Sequence, residues 1–284
     1  MILKEVLEKS TVYLKQAGFQ SPRLDCELMF AHTLGLSRLD LYLKFDRLLS
    51  EDEKKQCRAL LKRRHQGEPV SYILNKKEFF GLNFYVDENV LIPRPETELI
   101  IEEILQLYPK NEEILKVLDF GCGSGCIGLS LMSHYSKASL VGFDISAKAI
   151  DVSIKNSESL DLMGRSQFVV SDIEDLDVEA YNSVDIIVAN PPYIAEDDEN
   201  ICENVKKFEP NEALFSNEDG LAHIKSWLNK AAQLLKTEGY LFMEFGATQG
   251  AIILELANNI DVFNNAELIK DYQKFDRIIK VQKK

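Results

Sequence analysis

The sequence predicts an α/β protein in two parts: a mostly parallel, doubly wound sheet preceded by a small all-helical domain, with a β-hairpin linking them. Three observations carry this expectation. After residue 95, short apolar runs alternate with segments of helical period, the pattern of a parallel sheet covered by helices on both faces. Before residue 76, apolar residues recur at three and four, helix after helix. The charge divides at the same place: residues 1–75 hold 13 basic and 10 acidic side chains, net +3, against 20 and 36, net −16, in the rest of the chain. A length of 284 residues with 45% apolar content is enough for two such cores and excludes a disordered or fibrous chain.

Within residues 1–75, Leu3, Val6, Leu7 and Leu14 share one helix face, and Leu24, Leu28 and Met29 mark the next helix. Ser21 before Pro22 reads as an N-cap with proline at the first helical position. Ser50 and Glu53 form a capping box for a helix that Gly67 ends. On that helix Lys54, Arg58 and Lys62 lie on one face, which reads first as a solvated surface and second as a contact for an acidic partner. Residues 76–94 make the linker, where the run from Glu78 to Ile92 alternates around Gly81 and Asp87 as a hairpin closed by Pro93 and Pro95. Residues 95–284 hold strand candidates at 116–121, 139–144, 166–172, 184–190, 239–246 and 276–281, separated by amphipathic segments near 124–135, 146–160, 219–237 and 247–259. Sheets of this type bind ligands at the carboxyl ends of their strands.

Several classes are excluded. Lys4, Glu5, Glu8 and Lys9 interrupt any export signal, and no stretch approaches the roughly 18 apolar residues of a membrane span. The five cysteines are odd in number and hold no CxxC pair, so neither a disulfide framework nor a metal site is expected, and a cytoplasmic protein is. A net charge of −13 argues against a primary nucleic-acid binder.

The chemistry concentrates at three strand ends. The first strand runs into Asp119, Gly121, Cys122, Gly123, Ser124 and Gly125 directly before a helix, where glycines let the backbone turn tightly and approach a ligand, and the helix offers free N–H groups. Cys122 and Cys126 read as small fillers, since no histidine lies near them in sequence. Gly123, Gly125 and Gly128 also match a dinucleotide fingerprint. Asp144 ends the second strand, where a carboxylate meets the ribose hydroxyls of an adenosine-containing cofactor, NAD or S-adenosylmethionine alike; its plainer reading is a helix N-cap.

The fourth strand ends in Asn190, Pro191, Pro192 and Tyr193, the most specific feature of the chain. Consecutive prolines fix the backbone and cannot extend a sheet, so the turn holds Asn190 and Tyr193 rigidly. Such a turn suits a planar, weakly basic nitrogen nucleophile. The Asn190 side-chain oxygen and the Pro191 carbonyl accept its two N–H bonds as positive charge develops, and Tyr193 stacks on the flat group.

With the glycine loop, this Asn-Pro-Pro-Tyr turn resembles the amino-group methyltransferases that use S-adenosylmethionine. The runs Gly67 to Leu74 and Pro93 to Glu98, then Glu209-Pro210 and Asp219-Gly220-Leu221, narrow the likeness to the HemK/PrmC family, from about residue 21 to the C-terminus. The resemblance implies a Rossmann-like class I methyltransferase domain over 95–284 and a substrate-recognition role for residues 1–75. It implies methylation of the side-chain amide (N5) of the glutamine in the Gly-Gly-Gln motif of class I peptide chain release factors. It also implies S-adenosylmethionine as methyl donor, S-adenosylhomocysteine as product, and adenine packing at Asp172 and Ile173. Cys122 stands where the family usually has threonine, and Ile173 where an aromatic is common. A monomer without stable nucleic-acid or membrane binding is expected. The alternatives are a DNA or RNA methyltransferase acting on adenine N6 or cytosine N4, disfavoured by the −16 half, an NAD-dependent oxidoreductase, and a silent binding module; the last two leave Asn190 to Tyr193 without a purpose.

Overall fold

A computed structural model describes residues 1–198 and 201–284, in two compact units. The first comprises residues 1–76 and 203–208, the second 77–202 and 209–284.

The first unit holds helices α1 (Leu3–Gln16), α2 (Pro22–Leu34), α3 (Arg38–Leu43), α4 (Glu51–His65) and the single turn α5 (Val70–Ile73). Leu3, Leu7 and Leu14 of α1 meet Met29 and Phe30 of α2 in one closed core. Ser50 caps α4 with both bonds of the capping box, its hydroxyl accepting from Glu53 N at 3.2 Å and the Glu53 carboxylate from Ser50 N at 2.9 Å. Gly67 follows the helix in the left-handed region, φ +99°. Helix α10 (Glu203–Phe208) belongs to this unit, although its sequence lies deep in the stretch assigned to the sheet. The physical reason lies at Gly67, where a Cβ would stand 2.5 Å from the Asn204 side chain and 3.3 Å from the Phe208 ring. Lys207 also donates to the Gln66 carbonyl at 3.3 Å.

In the second unit, β1 (Lys77–Phe79) and β2 (Leu82–Phe84) form a hairpin about Phe80 and Gly81, both at positive φ. The alternation that suggests strand up to residue 92 does not hold it there, because Asn156 takes both the N–H and the carbonyl of Tyr85, at 2.6 and 3.0 Å, so the chain pairs with a side chain instead of a strand. Then follow α6 (Glu98–Leu107), β3 (Lys116–Phe120), α7 (Cys126–His134), β4 (Ser139–Asp144), α8 (Ala147–Ser159), β5 (Ser166–Val170), the turn α9 (Val178–Tyr181) and β6 (Val184–Ala189). After α10 come the turn α11 (Asn217–Gly220), α12 (Ala222–Leu234), β7 (Leu235–Glu244), α13 (Gly250–Asn258), β8 (Phe263–Lys270) and β9 (Asp276–Lys283).

The strand order is β5-β4-β3-β6-β7-β9-β8, parallel except for β9, which runs against both neighbours. Successive residues of a strand feed opposite faces: Ile186, Val188 and Phe242 lie in one core, Ile187, Ala189, Leu241 and Met243 in the other. All six residues of β6 are buried, which is why it reads as an unbroken apolar run. Because β3 pairs with β4 on one side and β6 on the other, the connections leave in opposite directions and open a crevice at the carboxyl ends of β3 and β6. Among the described residues no helix is long and apolar enough to cross a membrane.

Candidate active site

The loop between β3 and α7 turns through three glycines at positive φ, Gly121 (+64°), Gly123 (+53°) and Gly125 (+75°). Its shape is fixed from below. Ser153 of α8 donates to the Gly123 carbonyl at 2.8 Å, Asn156 donates to the Ser124 carbonyl at 2.8 Å, and Gly123 N donates to Asp144 Oδ2 at 2.9 Å. Gly128 lets α7 approach the sheet, since a Cβ there would lie 2.7 Å from the Leu140 methyl carbons.

Asp119 lies beneath this loop, buried. One carboxylate oxygen, Oδ2, accepts from Gly128 N at 3.0 Å; the other, Oδ1, has no hydrogen-bond partner. Burial pushes its pKa up to about 7, the Gly128 N–H opposing the shift and the Asp144 charge adding to it. Asp144 is tied differently, with Oδ1 accepting from Ser146 N at 2.9 Å and Oδ2 from Gly123 N. The helix cap is Ser146, whose hydroxyl accepts from Ala149 N, so Asp144 is not spent on capping α8. Each of its oxygens retains a second acceptor position. Burial raises its pKa, against the pull of the two backbone N–H groups. Asp172 follows the end of β5 and accepts from Glu174 N at 2.9 Å, while Ile173 is buried against the core.

At the end of β6, Asn190 Nδ2 points to Thr97 Oγ1 at 3.4 Å, and Thr97 donates to Glu244 Oε2 at 2.5 Å. Tyr193 donates to the other oxygen, Glu244 Oε1, at 3.2 Å, and its carbonyl accepts from Gln249 Nε2 at 3.0 Å. Glu244 is buried, and burial raises its pKa. Arg94 and the Ile92 N–H both bind Glu209, at 2.7 and 3.1 Å, pinning the segment before Thr97.

A cavity of about 740 Å³ lies between these groups, within the usual size for a small-molecule site. Gly121, Cys122, Gly123 and Ser124 of the loop line it, together with Asp144, Asp172, Ile173, Asn190 and Pro192. Asp119, Gly125, Pro191 and Tyr193 stand outside the lining, behind or beside it. Thr97, His223 and Trp227 are among the lining residues that sequence reasoning did not single out. Trp227, the single tryptophan of the chain, meets Phe120 edge-on at 6.0 Å. Its signal was its rarity on an otherwise ordinary amphipathic helix. Glu244 had a clearer one, an acidic residue inside the apolar run from Tyr240 to Phe245, which must find hydrogen-bond partners when buried.

Comparison with known proteins gives concordant matches for both parts. Residues 5–74 match the PrmC N-terminal domain and residues 111–281 a methyltransferase domain. The release factor glutamine methyltransferase of Rhodopirellula baltica is 36% identical over 282 residues, 98% of this chain and 95% of the relative. That of Clostridium botulinum is 33% identical over the whole length of both chains. A methyltransferase structure from Pyrococcus furiosus, 14% identical, superposes with a TM-score of 0.51 over 81% of this chain and 97% of its own, a likeness of fold. With both domains matched and full-length relatives at this identity, the chain belongs to the release factor glutamine methyltransferase family.

Proposed function

We propose that the protein transfers a methyl group from S-adenosylmethionine to the side-chain amide nitrogen of the glutamine in the Gly-Gly-Gln motif of peptide chain release factors. The observation that carries this is the shared cavity: the glycine loop after β3 and Asn190 after β6 line the same space. A loop that binds a cofactor thereby faces a turn suited to a planar nitrogen.

The residues present fit that cofactor. Asp144 keeps an acceptor position on each oxygen for a ribose diol, Ile173 offers an apolar face for adenine beside Asp172, and a Cβ on Gly123 would meet only one atom within 4 Å, so the loop leaves room for the methionine end. The unpartnered oxygen of Asp119 lies beneath the loop, and a cationic ligand bound above it would favour the carboxylate over the neutral acid that burial otherwise holds. When bound, the cofactor supplies an electrophilic methyl group on a sulfonium whose charge disappears on transfer. Asn190 Oδ1 and the Pro191 carbonyl accept the two N–H groups of the glutamine amide, orienting the nitrogen lone pair and stabilising the charge that develops on it. Tyr193, beside the lining with its hydroxyl held by Glu244, would meet the flat amide only at the edge of the cavity. Loss of the sulfonium charge favours a site without water, and no strong general base is required.

The test is to incubate the protein with labelled S-adenosylmethionine and, separately, a release factor, tRNA, rRNA and duplex DNA. Label is expected in the release factor alone; label in a nucleic acid instead would overturn the reading. Asn190→Ala should leave S-adenosylhomocysteine affinity intact by calorimetry and slow methylation by roughly 10² to 10³, the loss usual for one preorganised transition-state contact.

A further inference from the structure

Glu244 ends β7 with both oxygens held by hydroxyls, Thr97 on one side and Tyr193 on the other, and no cation lies within ion-pair distance of it among the described residues. An ionised carboxylate only accepts, so it takes the single proton of Thr97. Thr97 Oγ1, its proton committed, can then only accept in turn. Of the two halves of the Asn190 amide, only the NH2 can face it, and this is the arrangement present, at 3.4 Å. Oδ1 of Asn190 is left for another donor.

From this geometry we infer that Glu244 is a positioning residue that sets, through Thr97, which half of the Asn190 amide faces the substrate. The inference rests on the function proposed above and names the device that gives Asn190 its direction. An amide is nearly symmetric in shape, so packing alone discriminates poorly between its two orientations, whereas hydrogen-bond polarity discriminates well. The same chain explains why a carboxylate stands where an apolar residue would fill the strand end as well. A glutamine at that place offers one acceptor and one donor side, and cannot accept from Thr97 and Tyr193 both.

Protonation of Glu244 reverses the polarity: the carboxyl gains a donor, Thr97 is free to turn its O–H toward Asn190, and the amide is drawn round with its NH2 toward the substrate. The groups around Glu244 are Thr97 and Glu96 from the segment before α6, Cys126 from α7, Tyr193 from the turn and Arg277 from β9. Burial dominates and raises its pKa, so the acid limb of the rate profile lies above that of an ordinary glutamate.

The experiment compares Thr97→Val, Thr97→Ser and Glu244→Gln with the wild type, using a release factor as methyl acceptor and calorimetry with S-adenosylhomocysteine. Thr97→Val removes the hydroxyl at constant shape and should lower kcat roughly tenfold, a loss on the scale of one hydrogen bond, with cofactor affinity unchanged within about twofold. Thr97→Ser should restore most of the rate. In an Asn190→Ala background, Thr97→Val should cost less than about twofold more, because its effect passes through Asn190. Glu244→Gln should lower kcat and remove the acid limb from its pH profile; should that variant not fold, the two Thr97 variants decide. A wild-type kcat in Thr97→Val, or a full tenfold loss on top of Asn190→Ala, overturns the inference. If Asn190→Ala itself methylates normally, the underlying reading of the site falls instead, so the two failures are distinguishable.

Discussion

Asp119 shows what a single side chain contributes here. Its carboxyl is buried with one oxygen unpartnered and its pKa raised to about 7, so the fold without cofactor favours the neutral acid. Stability carried by the neutral form is fully present below the unfolded pKa of about 4 and is lost as pH rises toward 7. Asp119→Asn keeps an acceptor for the Gly128 N–H and cannot ionise. Its melting temperature should therefore exceed that of the wild type by an amount that grows between about pH 4 and 7 and levels above. The gain should reach a few kcal/mol at most. Thermal scans across that range without cofactor check this, and a constant difference would show that Asp119 does not titrate there. Asn190 was legible because two prolines after a buried strand are expensive unless the turn matters. Thr97 was not, since its role depends on a partner 147 residues away that no local pattern announces.

For the elements, legibility followed burial. Strands β3, β4 and β6 lie in the middle of the sheet, and their apolar runs placed them to within a residue of where they stand. Strand β8 is an edge strand with mostly exposed or half-exposed positions, and its sequence, FNNAELIK, gives no run to recognise. Helix α6 was missed for another reason: it follows the prolines of the linker so closely that they read as the end of one element, not the entry to the next. The glycine loop allows a contrast between neighbouring positions. A Cβ at Gly121 would lie 2.6 Å from the Trp227 ring, whereas at Gly123 the nearest atom is the Gly121 carbonyl oxygen, 4.0 Å away. Both carry left-handed backbone, so either alanine should lose about 1–2 kcal/mol. Gly121→Ala should lose more, because Trp227 must move. Gly123→Ala should be the more stable variant and yet bind S-adenosylhomocysteine more weakly, its methyl group occupying the cavity. Melting and calorimetry on the pair would show the two orders reversed; the same order in both would contradict the placement.

At the scale of the whole molecule, the two units differ in charge and in the work proposed for them. The glutamine of a flexible loop offers few contacts, so a second grip on the folded release factor raises its effective concentration at the site. We assign that grip to the helical unit. A chain beginning at Lys77 should still bind S-adenosylhomocysteine, since every cavity-lining residue is retained, and should lose most methylation of an intact release factor. Methylation of a short Gly-Gly-Gln peptide should be far less affected. Equal loss on both substrates would mean that the truncation damaged the catalytic unit itself.

Such a cut also strands α10, whose partners at Gln66 and Gly67 leave with the removed segment. The helical unit is therefore not an appendage strung on the front of an enzyme: the polypeptide passes from one unit to the other after residues 76, 202 and 208. An N-terminal segment transplanted from another family member would arrive lacking one of its own helices, and would have to accept the resident α10 in its place. Recombination between relatives can exchange the helical unit cleanly only when two separated stretches of the gene travel together. Under the role assigned to this unit above, specificity for a particular release factor is expected to drift by point substitution more readily than by wholesale replacement of the module.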